Sequence, residues 1–92
     1  MKQIIVLTPW RKNYLWVLKM EGWTPNEARH GYDDASLRGY DPKNLLLIKC
    51  QSWDAGQPPE YVERIETLIR LGAEASSPHL TVRRKNALEN SK

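Results

Sequence analysis

Two stretches of the chain are apolar without interruption. Gln3-Ile4-Ile5-Val6-Leu7 and Leu45-Leu46-Leu47-Ile48-Lys49-Cys50 show no alternation of polar and apolar positions. A strand with one wet face alternates, whereas a strand covered on both faces does not. Both runs therefore predict inner strands of a parallel sheet. After the first run, Thr8-Pro9 offers an N-cap residue followed by proline at the first helical position. Trp10, Tyr14, Val17 and Leu18 then recur at helical spacing as far as Glu21, and Gly22 supplies the stop. A hairpin competes with this helix, because Tyr14-Leu15-Trp16-Val17-Leu18 is also a run of strand-prone residues, with Arg11-Lys12-Asn13 as its turn. The paired start and stop signals favour the helix.

Thr24-Pro25-Asn26-Glu27 matches a capping box and predicts one or two helical turns. Ala28-Arg29-His30-Gly31-Tyr32 reads as a short, weak strand. Asp33 or Asp34 can cap a brief helix through Leu37 that Gly39 ends, and Asp41-Pro42-Lys43-Asn44 is turn chemistry. Beyond the second apolar run, a polar loop leads to Pro58-Pro59 and the strongest helical pattern in the chain. Tyr61, Val62, Ile65, Leu68, Ile69 and Gly72 share one face, with Glu60/Arg64 and Glu66/Arg70 spaced four apart on the other. Ser76-Ser77-Pro78 breaks the pattern, and His79-Leu80-Thr81-Val82 reads as a short edge strand.

Inner strands alternating with helices imply a small three-layer α/β domain: a mainly parallel sheet of three to four strands, doubly wound but truncated. Residues 1–75 are expected to form this single domain. Residues 76–92 are expected to be a short strand or extended segment plus a basic tail. With the first strand between the other two, the strand order reverses there, and the loops leaving the first and third strands face each other across a crevice.

Composition narrows the functional classes. At 92 residues there is room for one core, and 40% hydrophobic against 27% charged residues is a globular balance. No apolar run approaches the roughly 20 residues that span a bilayer, and the stretch ahead of Thr8 is too short for a secretory signal. A single cysteine, Cys50, has no partner for an internal disulfide, which suggests a reducing, cytoplasmic setting. Residues 1–75 hold ten Lys/Arg and ten Asp/Glu, so the formal charge of +3 belongs to the tail with Arg83, Arg84, Lys85 and Lys92. A folded body with a basic face is therefore not signalled.

Two groups of residues are candidates for a site. The first lines the expected crevice: Thr8-Pro9-Trp10-Arg11-Lys12 on one lip and Gln51-Ser52-Trp53-Asp54 on the other. Cations at a helix start can hold an anion, and indoles can stack on a ring; the plainer reading packs Trp10 on the sheet and leaves Arg11 and Lys12 solvated. No glycine-rich loop follows the first strand, so neither a dinucleotide fingerprint nor a Walker A cradle is present. The second group is the aromatic set, four Trp and four Tyr with no Phe. Trp16 lies off the apolar stripe of its helix, and Trp and Tyr dominate protein-binding hot spots; alternatively Trp16 and Trp23 cover the sheet edge. His30 and His79 stand without an orienting carboxylate or metal-ligand company, Cys50 reads as a buried inert thiol, and Asp33-Asp34 as a helix cap. No catalytic set, cofactor or metal is expected.

Leu37-Arg38-Gly39 before a hydrophobic strand, together with Thr8-Pro9-Trp10 after the first, resembles the small Rossmann-like accessory proteins of bacteriophages, which look like cut-down α/β NTPase cores lacking the phosphate loop. The resemblance covers residues 1–75. It implies a non-catalytic member that binds a host or phage protein, and it puts Arg38 beside the strand entrance in a structural role. The expectation is thus a protein-interaction module working through Trp10, Arg11, Lys12, Trp16, Trp23 and Trp53, on a protein partner or a second copy. The alternative is nucleic-acid or nucleotide binding through Arg11, Lys12, Trp53 and the tail cations Arg83, Arg84 and Lys85.

Overall fold

The two apolar runs, β1 (Gln3–Leu7) and β3 (Leu45–Lys49), lie side by side and parallel, with Ile4 opposite Leu46 and Val6 opposite Ile48. The computed structural model that shows this describes residues 2–78. β2 (Ala28–Gly31) flanks β1, and β4 (Glu74–Ser76) flanks β3, both parallel to their neighbours. The result is a four-stranded parallel sheet in the order β2-β1-β3-β4. The α/β class expected from the sequence is the observed one, with the first strand between the second and third.

Ile4–Leu7 of β1 and Leu45–Ile48 of β3 are apolar because each face of these strands is covered. Val6 and Ile48 point to one side, where Tyr14, Val17 and Leu18 of α1 (Arg11–Glu21) close over them. Ile5, Leu7, Leu45 and Leu47 point to the other, against Tyr61, Ile65 and Leu68 of α2 (Pro59–Arg70). Ile5, Val6, Leu7, Leu45 and Leu47 have no accessible surface. Burying a side chain of this size contributes about 1.5–3 kcal/mol, so these two seams dominate the stability of a thin domain.

The helix reading of residues 11–21 holds and the hairpin does not. Its start differs from the expectation. Thr8 accepts a hydrogen bond at its Oγ1 from the Trp10 amide at 3.3 Å, and the helix begins two residues later with Trp10 as N-cap. The threonine therefore shapes the turn out of β1, not the first helical turn. The stop is as expected: Gly22 adopts φ 73, a left-handed conformation that costs a side-chain-bearing residue about 1 kcal/mol, and its amide caps the Leu18 carbonyl.

The capping box also forms, with Glu27 Oε1 accepting from the Thr24 hydroxyl at 3.0 Å and the Glu27 amide donating to Thr24 Oγ1 at 3.3 Å. It closes one turn only. Ala28 already belongs to β2, whose pairing with β1 from Ile4 onward supplies more backbone bonds than a second isolated turn. A 3₁₀ turn over Ala35–Leu37 follows β2, and another over Pro42–Asn44 leads into β3, with Asp41 Oδ1 accepting from the Lys43 amide.

The fourth strand lies where the sequence suggests none. β4 occupies Glu74–Ser76, the sheet runs one residue past the expected boundary at 75, and Pro78 is buried. The edge strand expected at His79–Val82 and the basic tail lie outside the described residues.

Candidate functional site

The carboxyl ends of β1 and β2 hold the richest side-chain chemistry among the described residues. Thr8, which follows β1, is fully buried, and its carbonyl oxygen lies 2.8 Å from His30 Nε2. A carbonyl only accepts, so Nε2 carries the proton. The His30 ring stacks flat on Tyr14, with centroids 4.7 Å apart and 7° between planes, and the Tyr32 ring lies tilted beside it at 5.0 Å and 53°. Tyr14 is itself fixed, its hydroxyl donating to the Ala28 carbonyl at 2.6 Å. Arg11 lays its guanidinium over the Tyr14 ring at 4.9 Å. Burial holds the His30 pKa below the ordinary 6.5; the hydrogen bond to Thr8 opposes this and the nearby Arg11 charge adds to it.

His30 is thus far from isolated. His30 stands on a strand, and its partners are a backbone carbonyl and two tyrosines, which no helical spacing reveals. The available signal was positional, since ligands of parallel sheets gather at strand carboxyl ends.

The two lips of the expected crevice do not converge. Arg11 turns toward β2, while Trp53 folds onto the opposite layer, 6.1 Å from the Tyr61 ring, with Lys49 Nζ 5.0 Å above its indole. Trp10, expected to pack on the sheet, is instead 47% exposed. This follows from the later helix start: as N-cap it precedes the turn that faces the core. Lys12 is exposed, and Trp23 is half-buried against the α1-side core. Trp16 is 54% exposed, as its place off the apolar stripe required.

Asp33, Asp34 and Cys50 are engaged structurally. Asp33 Oδ1 accepts from the Ser36 amide at 2.8 Å, the expected capping role. Asp34 pairs with Arg64 of α2 and with Arg38, and these two guanidiniums hold its carboxyl below the usual range. Arg38 lines the same groove as His30 and Tyr32. Cys50 is 6% exposed, and burial pushes its thiol from 9.0 up to about 11, which fits an inert side chain. Among the described residues no group of His, Cys, Asp or Glu has the geometry to hold a metal, and no helix is long and apolar enough to cross a membrane. No protein-family model, curated protein or solved structure matches the chain.

Proposed function

We propose that this domain is a non-enzymatic interaction module that docks a protein partner on the outward side of α1. One observation carries the reading: Leu15, Trp16 and Met20 stand 48%, 54% and 37% exposed on a helix whose other side already fills the core. Trp16 and Met20, four apart, share one flank, and a large exposed indole is the residue type that anchors interfaces. Lys12 and Lys19 flank these side chains, which favours a partner surface that is apolar with an acidic border. A second copy fits less well, because its own α1 presents the same cations. The resemblance to phage-encoded accessory proteins agrees with this assignment.

The nucleic-acid alternative needs Arg11 and Trp53 on one surface, and their side chains turn to opposite layers. Its tail cations, Arg83, Arg84 and Lys85, lie outside the described residues.

The test is titration with an amphipathic Glu/Leu helical peptide, read by the emission of the exposed indoles, with a Lys/Leu peptide of the same pattern as control. The expected result is binding of the acidic peptide alone, weakened by about 2 kcal/mol or more in Trp16→Ala/Met20→Ala. Equal binding of both peptides, or an unaffected double variant, overturns the proposal.

A further inference from the structure

Beside β2, an edge strand of the sheet among the described residues, runs a groove of about 410 Å³, bordered by Arg11, Arg29, His30, Tyr32, Arg38 and Tyr40. A second hollow of about 330 Å³ shares Arg11, His30 and Tyr32 with it. Both volumes lie in the range of small-molecule sites. The lining of the larger one contains three guanidiniums and no carboxylate. Arg38 is also paired with Asp34 just outside this lining, so the local excess of positive charge comes from Arg11 and Arg29, and guanidinium is the group best suited to bidentate contact with phosphate.

The groove also offers flat apolar surface. His30 is locked face to face with Tyr14, and Tyr32, half exposed, presents a ring beside it. Stacked rings accept a nucleobase because every base has a π-face. Carboxylates would use the arginines and leave these rings idle, so an acidic peptide explains half of the lining. We propose that this groove binds a nucleoside phosphate, its base laid on Tyr32 and its phosphate between the guanidiniums of the rim. The same chemistry belongs to a free nucleotide and to one unit of a single-stranded nucleic acid. The site is separate from the outward face of α1 and does not depend on it.

Titrating the full chain with AMP, adenosine, inorganic phosphate, a short oligoadenylate and a short polyglutamate peptide tests this, with the His30 and Tyr32 ring signals followed by NMR. The expected result is that AMP moves both rings and binds more tightly than adenosine or phosphate. Arg11→Ala and Tyr32→Ala, both at exposed positions, each weaken it about tenfold. Arg70→Ala and Trp16→Ala/Met20→Ala leave it unchanged. Preference for AMP over the oligoadenylate identifies a free nucleotide, and tighter, steeply salt-dependent binding of the oligoadenylate identifies a single strand; both support the site. Silent ring signals with every nucleotide, polyglutamate binding as tight as AMP, or full affinity in Tyr32→Ala overturns it.

Discussion

The hydroxyl of Tyr61 donates to the carbonyl oxygen of Gly31 across 2.9 Å and so ties α2 to the edge strand β2. Tyr61 has no accessible surface, and its ring also packs on the α2-side core. Tyr61→Phe keeps the ring and strands a buried carbonyl, so it should lose about 1–3 kcal/mol in urea unfolding. Burial, with the charges of Asp33, Cys50 and Asp54, raises the hydroxyl pKa above its ordinary 10.0. A raised value means this contribution is intact below pH 10.0 and fades as pH climbs through the unfolded and then the folded value. The phenylalanine variant should lack that alkaline slope.

Gly31 itself has no room for a side chain. A Cβ there would lie 2.6 Å from Ile5 Cγ2, 2.9 Å from Leu7 Cδ2 and 3.2 Å from Leu37 Cδ2. All three belong to fully packed residues, so relief requires the core to shift. Gly31→Ala should destabilise by about 1–3 kcal/mol, seen as a lower urea midpoint with an unchanged slope.

His30 should give the acid limb of the stability profile. Its folded pKa lies below 6.5, so the unfolded chain takes up the proton first. Stability is fully present above 6.5 and is lost as pH falls from there through the folded value. His30→Gln should flatten this segment of the profile when urea midpoints are compared on either side of it.

Cys50 should resist alkylation. With a pKa of about 11 against 9.0 for a free thiol, its thiolate population at neutral pH falls by about a hundredfold, before burial slows access further. Iodoacetamide should label it at that reduced rate in buffer and at the ordinary rate in strong urea, followed by mass spectrometry.

Most of the scaffold was legible because its signals are local. Ile4–Leu7 and Leu45–Ile48 contain nothing polar, which fixes a two-sided environment, and Gly22 ends α1 where the chain must turn left-handed. What escaped depends on contacts distant in sequence. Thr24–Glu27 carries every local sign of a helix start, yet pairing of Ala28 with Ile4 takes over after one turn. β4 offers only Glu74, Ala75 and Ser76, and no propensity marks them; they form a strand because β3 leaves an edge to fill. Arg64 was expected beside Glu60 on the same helix, but it reaches Asp34 thirty residues away. The groove beside β2 was invisible for the same reason. Arg11, His30 and Arg38 come from three separate segments, and no spacing in the sequence joins them.

The division of the interior into two seams also sets an order of completion during synthesis. The α1-side seam needs nothing beyond Cys50, whereas the α2-side seam waits for Leu68 and Ala73. A nascent chain halted between these points would have one layer closed and Ile5, Leu7, Leu45 and Leu47 open to water, a greasy ribbon suited to chaperone capture. Domains emerge from the ribosome amino end first, so α2 is the lid whose arrival ends this vulnerable interval.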